Sequence, residues 1–455
     1  VSHVVVVGGG IAGLAAALRL VLAGAEVTVV EGAAAVGGKL RISDVAGIAV
    51  DEGAEMFLRR VPEALDLVTT LGRSEELVSP VTTSASVWAR GSLRPMPSGT
   101  VMGIPSDPAT LQGVLSAAEV DRAELDRELP GEAPGEDIAV GEWVGRRLGR
   151  AVVERLVDPL LGGVYAGRAD SLSLAATVPQ LPRDERSVLA AAGRVVPTTP
   201  STTPVFATIM SGLGSLPAAL VTAITAQGAT VVTGRPVRRL ERTATGWRVV
   251  HGPTTDEQAI DADAVIVAVP AAPAARLLAD VAPSAAAQLA TIEAASMAII
   301  TTAWQSPDAG PPAGSGYLVP AVYGRPVKAV TFASAKWAHL ARPDVAVVRS
   351  SVGRYGDAAD LQRDDDDLVA AVVGELTSYA GFVGTPIDSR VTRWGGGLPQ
   401  YAVGHLDRVA RIRSAVAAVP GLAVCGASYD GVGVPACIRT GQAAAEDVLA
   451  GLRSP

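Results

Sequence analysis

The sequence predicts an α/β fold, α+β overall, on three observations. A β-branched run, Val4–Val7, passes through a glycine-rich turn into an Ala/Leu-rich helix and a second strand, a unit of about thirty residues of the kind a parallel sheet requires. A mostly helical stretch follows over 109–195, with many charges in 119–155. Strand-like alternation then dominates 295–355.

Taken in order, Val4–Val7 reads as a buried strand, residues 11–23 as a helix stopped by Gly24, and Glu26–Glu31 as the second strand. Residues 62–79 read as a helix and its exit, and 80–108 as short strands and Pro/Gly turns. Val196–Pro204, rich in Pro, Thr and Ser, reads as an exposed loop or linker. Gly214–Gln227 is helical, with strands near Thr230–Thr233, Val237–Thr243, Trp247–His251 and Ala264–Val269. The acidic run Asp364–Asp367 suits a solvated helix N-terminus, where the macrodipole favours carboxylates. Leu422–Cys425 is a last strand and Ile438–Leu452 a last helix; no internal repeat is evident.

Composition narrows the function classes. A chain of 455 residues is too long for one small core. Net charge is −8 and no basic stripe is visible, which argues against nucleic acid. No apolar run reaches the ~18–20 residues that span a bilayer. The N-terminus enters a strand at once, with no signal-like segment, so the expectation is a cytoplasmic protein, peripheral at a membrane at most. Cys425 and Cys437 lack metal or redox spacing, and the four histidines are scattered, so no metal site is expected. Arginine supplies nearly all the positive charge; lysine occurs only at Lys39, Lys328 and Lys336.

The turn Gly8-Gly9-Gly10-Ile11-Ala12-Gly13 has the spacing of a dinucleotide fingerprint. Gly8 permits the tight turn, Gly10 lets backbone approach a pyrophosphate, and Gly13 lets helix pack on strand. Glu31 stands 18 positions after Gly13, at the end of the second strand, where a carboxylate accepts from ribose hydroxyls. A 2′-phosphate would be repelled there, which argues against NADP.

The next segment, Glu31-Gly32-Ala-Ala-Ala-Val-Gly37-Gly38-Lys39-Leu-Arg41, resembles the glycine pair and basic residue of the large FAD family that contains amine oxidases, phytoene desaturases and protoporphyrinogen oxidases. The resemblance implies a Rossmann-type FAD-binding domain. Lys39 stands where arginine is usual and supplies a cation to phosphate without the bidentate fork. Further stretches resemble one branch, the oxygen-dependent porphyrinogen oxidases, and within it the bacterial coproporphyrinogen III oxidases. They are Asp51-Glu52-Gly53-Ala54-Glu55-Met56-Phe57-Leu58, Met96-Pro97 to Pro105, Asp158-Pro159 to Gly167, Thr392-Arg393-Trp394 with Leu398–Tyr401, and Gly426 through Val432, Gly433, Val434 and Pro435 to Ile438. Departures are Ala54 and Glu55, where Pro and Asp are usual, and three glycines after Trp394.

What the resemblance implies is a flavin oxidase of haem biosynthesis with chemistry at flavin N5 and no assigned catalytic side chain. Coproporphyrinogen III would become coproporphyrin III in three rounds, with dioxygen reoxidising FAD and releasing hydrogen peroxide. Alternatives are a protoporphyrinogen IX oxidase, another FAD amine oxidase or desaturase, or a non-enzymatic protein on the FAD fold. Expected FAD contacts are the residues 8–13 above, Glu31, Gly32, Gly38, Lys39, Gly53, Ala54, Glu55, Met56, Val237, Trp394, Gly426, Val432, Gly433 and Val434. A tetracarboxylate substrate needs cations and an apolar slot, for which Arg59, Arg60, Arg168, Arg186 and Tyr165 are the candidates. The expected division is a discontinuous FAD domain (1–58, 205–270, 390–455), a mixed-sheet substrate domain (59–100, 271–389) and a helical insert (101–204). A transient contact with ferrochelatase is the expected partner.

Overall fold

The computed structural model describes residues 1–197, 204–305 and 314–453, so most of the expected Val196–Pro204 linker lies outside the described residues. The N-terminal unit forms as its pattern requires. The strand His3–Val7 runs parallel to Glu26–Val30, and the helix Ile11–Leu22 connects them. Val4, Val5, Val6 and Val7 are all buried, because both faces of the sheet are covered. Each such side chain contributes roughly 1.5–3 kcal/mol on leaving water.

Five parallel strands make this sheet, in the order Thr230–Val232, Glu26–Val30, His3–Val7, Ala264–Val267 and Leu422–Val424. Three separate stretches of chain therefore build one layer. The last helix, Val434–Arg453, packs along the first. Their closest approach is at Gly441, where a Cβ would stand 2.1 Å from the Ala12 carbonyl oxygen. That helix begins four residues earlier than the expected Ile438, because Pro435 is tolerated in a first turn, where no N–H is needed.

The second sheet has seven strands in the order Asp388–Pro399, Ala294–Gln305, Val345–Val352, Val327–Phe332, Gly316–Leu318, Ala85–Ala89 and Ser92–Pro95. All pairings are antiparallel except Gly316–Leu318 with Ala85–Ala89, so the sheet is mixed. The expected boundary at residue 390 falls inside the edge strand, whose partner is Ala294–Gln305; that strand belongs to this sheet rather than to the parallel one. The 16-residue helix Asp365–Ala380 covers one face, with Asp365, Asp366 and Asp367 in its first turn. A helical layer holds Val140–Leu148, Arg150–Val152 and a π turn, Val153–Val157, that runs into Asp158–Tyr165. Among the described residues no helix is long and apolar enough to cross a membrane.

Candidate functional site

The first strand ends at Gly8, whose N–H donates to the Val30 carbonyl at 2.8 Å. A Cβ at Gly13 would stand 2.0 Å from the Gly8 oxygen, so the helix can lie this close to the strand only without a side chain there. Gly10 is the opposite case: a Cβ would meet nothing within 4 Å, and the helix it caps has no side-chain cap. Open space therefore stands over uncapped N–H groups and the positive end of a 12-residue helix. Ile11 and Ala12 are buried beneath that space.

Glu31 closes one side. Its Oε2 accepts from Gly9 N–H and its Oε1 from Ala33 N–H, both at 2.7 Å. Two fixed backbone donors orient the carboxylate and leave lone pairs for ribose hydroxyls. Gly32 packs on Pro236, which precedes the irregular start of the strand Val237–Arg242. A Cβ at Gly38 would lie 3.4 Å from Gly10 Cα, and Gly37 N–H donates to the Gly9 carbonyl at 2.8 Å. The glycine pair thus lines the open space beside the helix end.

Lys39 turns elsewhere. Its ammonium donates to the Gly397 carbonyl, and burial holds its pKa below the usual lysine range, with Cys437 partly opposing. The Lys39 carbonyl oxygen sits where a Cβ of Gly53 would be, 2.0 Å away, so the two segments are in backbone contact. Trp394 covers this junction: its indole N–H donates to the Glu52 carbonyl at 3.0 Å, and its ring lies 5.6 Å from the Arg41 guanidinium.

Ala54 is exposed next to Gly53, while Glu55 faces the seven-stranded sheet. The Glu55 carboxylate, 12% exposed, takes Lys336 Nζ at 2.6 Å and Arg349 Nη1. Burial works against its ionisation, but Lys336 and Arg349 prevail and hold its pKa at about 2. Arg349 also donates to the Gly53 carbonyl at 2.6 Å, and Lys336 touches Met56 Sδ at 3.2 Å. The Glu55 carboxylate thus clamps the Gly53 loop to the second sheet.

The C-terminal glycine loop is pinned by Tyr401, which ends one of the family-like stretches but carried no assigned role in the sequence. Tyr401 donates to the Ala427 carbonyl at 2.6 Å and accepts from Gly431 N–H at 2.8 Å. Its ring stacks on His405 at 3.8 Å, and His405 Nε2 meets the Tyr429 carbonyl at 2.9 Å. Gly426 N–H donates to Thr440 Oγ1, and a Cβ at Gly426 would meet nothing within 4 Å. Val432, Gly433 and Val434 then open the 20-residue helix, a second helix N-terminus beside the first helix. Both cysteines are buried thiols; burial pushes Cys437 up to about 11 and Cys425 higher still, so neither is a thiolate nucleophile.

The substrate candidates lie on different elements of the chain. Tyr165 is buried with its ring 5.6 Å from that of Tyr401. Arg168 Nη1 lies 3.7 Å from Asp158 Oδ2. Arg59 follows the short strand Phe57–Leu58 and reaches Ser79 Oγ at 3.4 Å; Arg60 beside it is exposed. Arg186 is exposed ahead of the helix Val188–Val195.

An open cradle over an uncapped helix end, an oriented carboxylate at the ribose position and a second helix end alongside fit an FAD, with the glycine backbone and Glu31 as its holders. A family model described as flavin containing amine oxidoreductase matches residues 11–449. A coproporphyrinogen III oxidase of Mycobacterium tuberculosis is 38% identical, the match covering 98% of this chain and 97% of the relative. One of Bacillus subtilis is 33% identical over 98% of each. A crystal structure from Exiguobacterium sp. 255-15 superposes with a TM-score of 0.88 at 30% identity, over 100% of this chain and 99% of that one.

Proposed function

The chain belongs to the flavin-containing amine oxidoreductase family, and from that premise we propose that it is an FAD-dependent oxidase converting coproporphyrinogen III to coproporphyrin III in haem biosynthesis. The observation that carries the reading is full-length similarity to proteins named coproporphyrinogen III oxidase, laid over a site with the backbone an FAD requires. The family's Rossmann-type FAD layer is the five-stranded parallel sheet. The mixed sheet is the substrate domain in this reading and residues 101–204 the helical insert.

A bound flavin would supply the hydride acceptor for a porphyrinogen meso carbon. The protein's part is to hold and orient. The helix Ile11–Leu22 would hold the pyrophosphate, Glu31 the ribose, and Gly426–Val434 the ring end. Tyr401 keeps that loop in place, while Glu55, Lys336 and Arg349 fix the Gly53 loop opposite. Porphyrinogens are electron-rich, so positioning and water exclusion supply most of what the side chains must do. Dioxygen is the proposed acceptor, with one hydrogen peroxide formed per two-electron round, and a transient contact with ferrochelatase is the proposed partner interaction.

The purified protein should be yellow, with flavin absorption that bleaches anaerobically on adding coproporphyrinogen III and returns with air. A colourless protein that takes up no FAD, or a yellow one that this substrate leaves unbleached, overturns the reading. Comparing kcat/KM for coproporphyrinogen III and protoporphyrinogen IX at one oxygen concentration fixes which macrocycle is preferred.

A further inference from the structure

Among the described residues, one lysine has no hydrogen-bond or ion-pair partner. Lys328 lies on the strand Val327–Phe332, where a register shift between Val327 and Ala329 interrupts the pairing with Val345–Val352. A bulge of this kind re-aims a side chain out of the sheet's alternation. Lys328 is 5% exposed, and its ammonium makes no hydrogen bond. It lines a narrow slot together with Asp158, Gly162, Gly167, Val319 and Arg354. The slot is tight: its cavity volume is about 10 Å³, room for one water-sized group, the size of a single carboxylate oxygen.

The charge in the slot is unbalanced. Lys328 and Arg354 face it, and Arg168 stands at 3.7 Å from Asp158. Asp158 is the one carboxylate among the slot's lining residues, and it is partly engaged by Ala169 N–H at 2.8 Å. Asp357 and Asp360, on the loop after Arg354, act on that arginine as well and are more exposed. Arg354 donates to the carbonyls of Val319, Val327 and Arg325, which fixes its guanidinium at the wall. A buried ammonium without a partner is costly unless an anion joins it.

The slot is also next to the flavin site through a short chain of contacts. Tyr401 holds Gly431; Gln400 donates to the Tyr165 carbonyl at 2.8 Å; and Gly167, in the slot wall, approaches Gln400 so closely that a Cβ would lie 2.4 Å from its Oε1. We propose that this slot seats one carboxylate of the substrate, a propionate of the macrocycle, with Lys328 as its charged donor and Arg354 and Arg168 beside it. The inference rests on the porphyrinogen reading for the identity of the ligand.

The test is binding of coproporphyrin III to the FAD-loaded protein, followed by porphyrin fluorescence at pH 6.5. Lys328→Met removes the charge at similar size and should raise Kd tenfold or more, the loss expected for a charge-assisted hydrogen bond. Lys328→Arg should stay within a few-fold of the parent. Asp158→Asn removes the slot's own carboxylate and should tighten binding severalfold. This change of opposite sign does not depend on how well the lysine variants fold, and flavin absorbance per protein checks each of them. If the parent binds and oxidises its substrate while Lys328→Met binds coproporphyrin III within twofold of it, or Asp158→Asn binds no tighter, the slot is not a carboxylate seat. A parent that neither binds coproporphyrin III nor oxidises coproporphyrinogen III overturns the functional reading itself, and this inference with it.

Discussion

Lys328→Met is expected to make the unliganded protein more stable, although it removes a charged group. Burial pushes the Lys328 ammonium down to about 7, with Arg354 adding to the effect. An unfolded lysine titrates near 10.4. At about 1.4 kcal/mol per decade, the charged form costs the native state at most roughly 5 kcal/mol below pH 7. Replacement of buried ionic groups by apolar ones commonly returns about 1–4 kcal/mol, and methionine matches the shape of the stem. The sign against pH follows from proton counting. Between about pH 7 and 10.4 the unfolded state binds the extra proton, so the parent gains stability as pH rises through that window. The advantage of the variant is full at pH 6, shrinks through pH 8 and 9.5, and closes near 10.4. Urea midpoints and melting temperatures of both proteins, in saturating FAD without porphyrin, measure it. A variant that melts at or below the parent at pH 6, or whose advantage widens with pH, refutes the reasoning.

Other outcomes follow from the same geometry. Gly13→Ala should abolish flavin retention, since its methyl would stand 2.0 Å from the Gly8 oxygen; flavin-to-protein absorbance ratios at the parent level would contradict this. Glu55→Gln leaves Lys336 and Arg349 buried without their shared anion, at a cost of roughly 3–5 kcal/mol in denaturant unfolding. The stabilisation from Glu55 is complete above the ordinary carboxylate range and fades as pH falls towards about 2, so the parent should lose its margin over Glu55→Gln in acid; a margin independent of pH would speak against the ion pairs. Tyr401→Phe removes a hydroxyl that serves both Ala427 and Gly431, costing about 1–3 kcal/mol and weakening FAD affinity; equilibrium dialysis showing unchanged affinity would dissociate Tyr401 from the flavin loop.

The parts of the site that were legible in the sequence are those fixed by local chemistry. Gly8, Gly10, Gly13 and Glu31 act within a single β-α-β unit, so spacing alone carries their roles. The Gly426–Val434 loop was visible because a strand, a glycine run and a proline mark a helix start. What escaped depends on long-range register. Tyr401 finds its partners 26 and 30 positions away, and nothing in Pro399-Gln400-Tyr401 announces them. Lys328 reads as an ordinary strand lysine until a bulge turns it inward. A faint signal did exist: in a chain whose positive charge is almost all arginine, Lys328 and Lys336 are both buried and Lys39 is half-buried. Arg349, buried directly after the apolar run Val345–Val348, was a second such flag.

The contact between Ala12 and Gly441 sets a schedule for synthesis. These residues are 429 positions apart (441 − 12), and the parallel sheet cannot close until Leu422–Val424 and the last helix arrive. At about 5–20 residues per second, a ribosome needs on the order of 20–90 s to deliver the second after the first. For that interval the glycine turn and its strand are nascent chain without their cover. Cofactor capture therefore waits for the helix Val434–Arg453, and loss of that helix should forfeit it as completely as a lesion in the first turn.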